Sequence, residues 1–268
     1  MKRIVLSIVM ILGFSLSVNA ETIKIAGSGQ MLPLAVELGK AFSKKYPSDT
    51  VEVNPKSLGQ KNGVRAVSEG YIDIATSARR LDDEENRLPV QAYEIATVAG
   101  FFAVNPTVSS VKGLTSQQIC DIYSGKIKNW KEVGGPNAAI VVLTRPEKDS
   151  TKIVMRRHLP GFGKVKEPAE VDSKLRSKDM VEGLISTPYA IGMIDAINYA
   201  NAAGKMVALK LDGRDITSSA TGPIQHYYNF VLNKKPGAAD LRFMQFVKSP
   251  EGQMIIKQEM AHPLKFNL

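Results

Sequence analysis

The sequence predicts an α/β fold built on an open sheet, and three observations carry that prediction. Strand and helix patterns alternate from Thr22 to Arg79. A second alternating set follows the apolar run Ala99–Val104. Turns rich in glycine and serine end several strands, where open α/β sheets hold their ligand sites.

The elements follow in order. Thr22–Ala26 alternates and predicts a strand that stops at Gly27-Ser-Gly-Gln30. Leu34, Leu38, Ala41 and Phe42 recur at helical spacing and end before Tyr46-Pro47. Thr50–Val53 predicts a second strand, a polar loop runs from Asn54 to Lys61, and a short helix is expected near Gly63–Glu69. Tyr71–Ala75 predicts the third strand. After the strand at Ala99–Val104, helices are expected over Ser116–Tyr123, Thr151–His158 and Asp179–Ile185, with strands at Ile140–Leu143 and Ala190–Met193. A last strand is expected at Tyr228–Leu232, before helices over Ala238–Val247 and Pro250–Met260.

The first twenty residues predict a destination. Lys2 and Arg3 precede the apolar run Ile4–Leu16, and Val18-Asn19-Ala20 supplies a small-x-small cleavage pattern. That run is too short for a stable membrane anchor. The expected mature protein begins at Glu21 and is periplasmic. No cysteine stands at the cut, so it is expected to carry no lipid. Cys120 is the only cysteine, which excludes an internal disulfide, and its apolar surroundings predict a buried, inert thiol. The chain carries a formal charge of +9, but its basic residues are scattered without interleaved aromatics. That pattern argues against nucleic acid and suits the steering of a small anion.

Four stretches resemble the substrate-binding proteins of phosphate ABC transporters. They are Ile25-Ala-Gly-Ser-Gly-Gln-Met-Leu-Pro33, Gly70-Tyr-Ile-Asp-Ile-Ala-Thr-Ser-Ala-Arg-Arg-Leu81, the span from Gly113 through Trp130 to Gly135, and Phe246-Val-Lys-Ser-Pro-Glu-Gly-Gln253. The resemblance implies a type II periplasmic-binding-protein fold, in which two lobes hinge around an interlobe cleft. Crossings are expected near Val104–Pro106 and Thr221–Ile224. Lobe one would then be 21–104 plus 223–268, and lobe two 105–222. The implied partners are a small anion, phosphate first, and a membrane ABC permease. A monomer without cofactor or metal is expected.

Three turns before helices are the expected sources of backbone N–H groups for the anion: Ser28-Gly29-Gln30, Lys61-Asn62-Gly63 and Asp149-Ser150-Thr151. The alternative for each serine or threonine is a plain helix cap. Ser77 and Arg79 stand at the serine and arginine of the family's third-strand segment, and Arg145 at the arginine that opens its second-lobe loop. A guanidinium fork fits two oxygens of a tetrahedral anion. Arg80 is the alternative to Arg79, which would then pair with Asp82 or Glu84. The chain departs from the family at two loops. Lys148-Asp149-Ser150-Thr151 replaces glycine-serine-glycine-threonine, and Gln60-Lys61-Asn62 replaces a serine-glycine core. Asp149 could accept the proton of a hydrogen phosphate, or simply cap its helix.

No enzyme site is expected. His158, His226 and His262 lack ligand spacing, and neither a Gly-x-Ser-x-Gly elbow nor a His-Glu-x-x-His motif is present. Ser109-Ser-Val-Lys112 matches Ser-x-x-Lys without its companion motifs, and Asp73 and Asp195 lack a paired base. The competing readings are the same fold binding another ligand or serving as a sensor and, more remotely, a secreted hydrolase.

Overall fold

The structure, a computed structural model, describes residues 21–217 and 222–268. The expected signal peptide and Thr221 of the second expected crossing lie outside these residues.

A ten-stranded sheet runs through the described molecule. Its first half is built around β1 (Glu21–Gly27), which pairs in parallel with β2 (Asp49–Val53) and with β3 (Ile74–Ser77). Between β1 and β2 lies α1 (Leu32–Lys45), which buries Leu34, Leu38 and Phe42 from one stripe. Pro33 suits its first turn, and Lys44 and Lys45 complement the dipole of its last. The next helix, α2 (Gln60–Ser68), starts three residues earlier than Gly63 because Gly59, at φ 75°, makes the turn that the sequence reading gave to the loop.

After the short α3 (Asp83–Asn86) comes β4 (Val90–Val104), whose fifteen residues join the two halves of the sheet. Residues Val90–Ala99 pair with β11 (Gln225–Asn233), and Gly100–Val104 pair with β8 (Ala190–Asp195). The partner changes at Gly100. A Cβ there would lie 2.7 Å from His226 Nε2, so any larger residue would have to displace the buried imidazole.

The second half opens with β5 (Gly113–Leu114) and α4 (Ser116–Tyr123), the latter started by a Thr115–Gln118 capping box. Next, β6 (Val141–Thr144) and β7 (Asp172–Ser173) extend the sheet in parallel from β8. They alternate with α5 (Ser150–His158) and α6 (Ser177–Ser186). Asp195 ends β8 and caps α7 (Ala196–Asn201). Two short strands, β9 (Val207–Ala208) and β10 (Lys210–Leu211), pair with β4 and β5. The chain then returns to the first half through β11, α8 (Ala238–Lys248), α9 (Pro250–Gln258) and β12 (His262–Pro263), which pairs with β4.

One large apolar core extends across both halves, from Phe42, Phe230 and Phe243 to Phe102, Tyr123 and Phe162, whose rings meet edge to face. Cys120 is buried with its Sγ 3.5 Å from the Pro160 carbonyl, and burial pushes its thiol pKa up. Trp130 is fully buried and donates its indole N–H to the Tyr189 carbonyl at 2.9 Å.

Candidate functional site

Four helix starts, two from each half of the sheet, surround one polar cavity of about 190 Å³. From the first half, Ser28 and Gly29 precede α1, and Ser57, Leu58, Gly59 and Gln60 lead into α2. From the second half come Arg145, Lys148, Asp149 and Ser150 at the start of α5, with Leu175, Arg176 and Ser177 at the start of α6. The first turn of a helix leaves its N–H groups without intrahelical partners and carries about half a positive charge.

Local bonding explains the shape of the first-half wall. The Ser28 N–H donates to the Thr76 carbonyl at 2.9 Å, which ties the β1 turn to the end of β3. The Ser57 hydroxyl donates to the Gly27 carbonyl at 3.0 Å and accepts the Gly59 N–H at 3.1 Å. Gly63 then packs on Gly27. An added Cβ at Gly63 would lie 2.7 Å from the Gly27 Cα, so this glycine seats α2 against the end of β1.

On the second-half wall, Arg145 follows β6 and is 5% exposed. Its Nη2 donates to Asp149 Oδ2 at 2.5 Å, while Nε and Nη1 are buried without a hydrogen-bond partner among the described residues. Asp149 Oδ1 accepts the N–H groups of Thr151 and Lys152 at 2.9 and 3.4 Å. Asp149 therefore caps α5 with one oxygen and holds Arg145 with the other. Behind it, Lys152 is fully buried, with Nζ bonded to Thr144 Oγ1 and Glu167. Burial pulls the Lys152 ammonium pKa down, against the pull of Glu167. At the rim, Arg176 pairs with Asp179 and holds that carboxyl below its usual range.

Side-chain hydrogen bonds cross between the halves. Ser150 Oγ donates to Gln60 Oε1 at 3.1 Å, and Asn198 Nδ2 donates to the Gln30 carbonyl at 3.1 Å. A space of about 10 Å³ lies deeper, among Arg145, Thr151, Ser177, Asp195 and Asn198.

Of the residues expected from sequence, Ser28, Gly29, Arg145, Asp149 and Ser150 line the larger cavity, and Thr151 lines the deeper space beside Arg145. Gln30 is buried behind it, its carbonyl also accepting the Tyr228 hydroxyl at 3.1 Å. Asn62 turns back to the Leu58 carbonyl at 2.9 Å, and Gly63 contacts Gly27. Ser77 is fully buried and donates to the Arg79 carbonyl at 2.6 Å. Arg79 forks onto Glu85 at 2.9 and 3.1 Å and reaches Asp82 at 3.2 Å. Arg80 pairs with Glu94 and lies 4.0 Å from the Tyr227 ring centre. Sequence reasoning missed Ser57, Gln60, Lys148, Arg176 and Ser177 as cavity residues. A usable signal was Ser57-Leu-Gly59, a hydroxyl two residues before a glycine at a helix start.

The phosphate-binding protein PstS of Bacillus subtilis is 29% identical over 249 residues, spanning 90% of this chain and 80% of that protein. PstS of Borreliella burgdorferi is 25% identical over 253 residues, spanning 90% and 89%. A Clostridium perfringens structure with bound phosphate, named for a phosphate ABC transporter substrate-binding protein, superposes with a TM-score of 0.81 at 27% identity. The superposition covers 91% of this chain and all of that one. A family described as the PBP superfamily domain matches residues 16–247. With its α/β halves joined through β4 around a cleft of helix starts, the chain belongs to the PBP superfamily and has the type II periplasmic-binding-protein fold.

Proposed function

We propose that this chain is a periplasmic solute-binding protein that captures phosphate between its two halves and hands it to a membrane ABC permease. The observation that carries the reading is Arg145, a buried guanidinium with two donor nitrogens unpartnered at a cavity ringed by helix starts. Leaving buried donors unsatisfied is costly, and an oxyanion supplies the missing acceptors. The names of the relatives support phosphate as that anion.

In this reading the halves act as lobes that close on the ligand and bind it from both sides. The register of β4 favours Gly100 as the first crossing, ahead of Val104–Pro106. The second crossing lies in the segment that precedes β11. Binding, rather than catalysis, is the role that helix starts and a fixed arginine fulfil, and the lobes act as a monomer. Among the described residues no helix is long and apolar enough to cross a membrane.

The test is a calorimetric titration of ligand-stripped protein with phosphate, arsenate, sulfate and a small phosphate ester. Saturable one-site phosphate binding is expected, and its absence rejects the reading. Cell fractionation with N-terminal sequencing should find a periplasmic, unlipidated form beginning at Glu21.

A further inference from the structure

Beside the polar cavity lies a larger space of about 390 Å³, between α1 and β2 of the first half and α6 and α7 of the second. Its walls are mainly apolar: Leu32, Pro33 and Val36 on α1, Val53 at the end of β2, Val181 on α6 and Ala202 after α7. Pro33, Val36, Val53 and Val181 are only half-buried. Apolar side chains that converge on one groove from two halves of a molecule, and stay partly open to solvent, mark a binding surface.

The groove adjoins the anion cavity, since Gly29, Ser57, Arg176 and Ser177 line both. The two halves come close at this passage. A Cβ on Gly29 would lie 2.9 Å from Ser57 Cβ and 3.8 Å from Ser177 Oγ. Helix geometry then sets the direction of the groove. Residues four apart share a helix face, as Leu32 and Val36 do on α1 and Ser177 and Val181 on α6. The starts of these helices border the polar cavity, and their next turns carry valines away from it. An anion held at the helix starts can therefore point one substituent along the channel between α1 and α6.

We propose that the site also takes small phosphate monoesters, with the phosphate group in the polar cavity and the organic group in the apolar groove between α1 and α6. This rests on the reading that the polar cavity holds an oxyanion. A monoester keeps three oxygens for Arg145 and the first-turn amides, and its fourth carries the organic group through the passage. Asn54, Lys178 and Asn201 are exposed where they line the groove, so the far end of that group meets a polar rim.

The experiment titrates ligand-stripped protein calorimetrically, at mildly alkaline pH, with inorganic phosphate and with methyl, ethyl, propyl and butyl phosphate. Each methylene buried in the groove should tighten binding by up to about fourfold. Butyl phosphate is thus expected to bind at least about tenfold more tightly than methyl phosphate. Val36→Asn puts an amide in the groove and leaves the lining of the polar cavity unchanged. It should cut the gain from methyl to butyl below about threefold, with inorganic phosphate bound as in wild type. Val181→Asn makes the same test from α6 if the first variant fails to fold. A wild type that gains less than about threefold from methyl to butyl, while still binding inorganic phosphate, overturns the inference and leaves the oxyanion reading intact. So does a folded Val36→Asn protein that keeps the whole gain. A wild type that binds neither phosphate nor esters rejects the oxyanion reading itself.

Discussion

Arg145 and His226 are both buried, and they answer burial in opposite ways. Arginine keeps its donors, so the free Nε and Nη1 call for acceptors, which an oxyanion supplies. Arg145→Ala should weaken phosphate binding by about 2–5 kcal/mol in calorimetry, with Arg145→Lys recovering only part because an ammonium lacks the fork. Histidine can instead lose its charge. Burial holds the His226 imidazole pKa below the usual value, and the opposing pull of Asp195 is smaller. The unfolded chain takes up this proton near pH 6.5 while the folded chain does not. Stability should therefore fall as pH drops below about 6.5, by up to about 1.4 kcal/mol per pH unit, until the folded imidazole itself titrates. Urea unfolding between about pH 7 and pH 5 checks this, and His226→Asn should flatten the slope. At this scale the sequence exposed Arg145, Ser28 and Ser150 because each stands at a turn that ends in a helix. It placed Gln60 in a loop that departs from the family, but did not reveal its hydrogen bonds to Glu85 and Ser150, which come from other elements.

At the level of elements, helix periodicity was the most legible signal. Stripes such as Leu34, Leu38 and Phe42 are set by local spacing. The first half of β4 escaped the sequence reading because Gln91, Tyr93 and Glu94 interrupt its apolar character, and its pairing with β11 is not local. A short α7 was also missed, since its six residues continue straight from β8. The start of α2 was displaced because Ser57 and Gly59 form a turn stabilised by the Gly27 carbonyl, a contact distant in sequence. That seating is testable. Gly63→Ala places a methyl 2.7 Å from the Gly27 Cα, so α2 must shift. We expect a loss of about 1–3 kcal/mol in stability and weaker phosphate binding, measured by denaturant unfolding and calorimetry.

For the whole molecule, a ligand that touches both halves stabilises the folded, closed state by mass action. Phosphate at a hundred times its Kd should add about 2.7 kcal/mol and raise the melting temperature, whereas Arg145→Ala should show little shift at the same concentration. A scanning calorimetry series in phosphate checks both. The continuity of β4 has a further consequence, for the order in which the chain can become structured. β11 lies between β3 and β4, yet it follows β4 by a long excursion through the second half. Until that strand emerges, β3 and the early part of β4 have no ladder between them, while β6 and β8 can pair from contiguous chain. Pairings of such wide sequence separation are slow to form, because the loop must close before its contacts are gained. During synthesis the second half can assemble first, and the half that opens the sequence is completed by nearly the last strand to arrive.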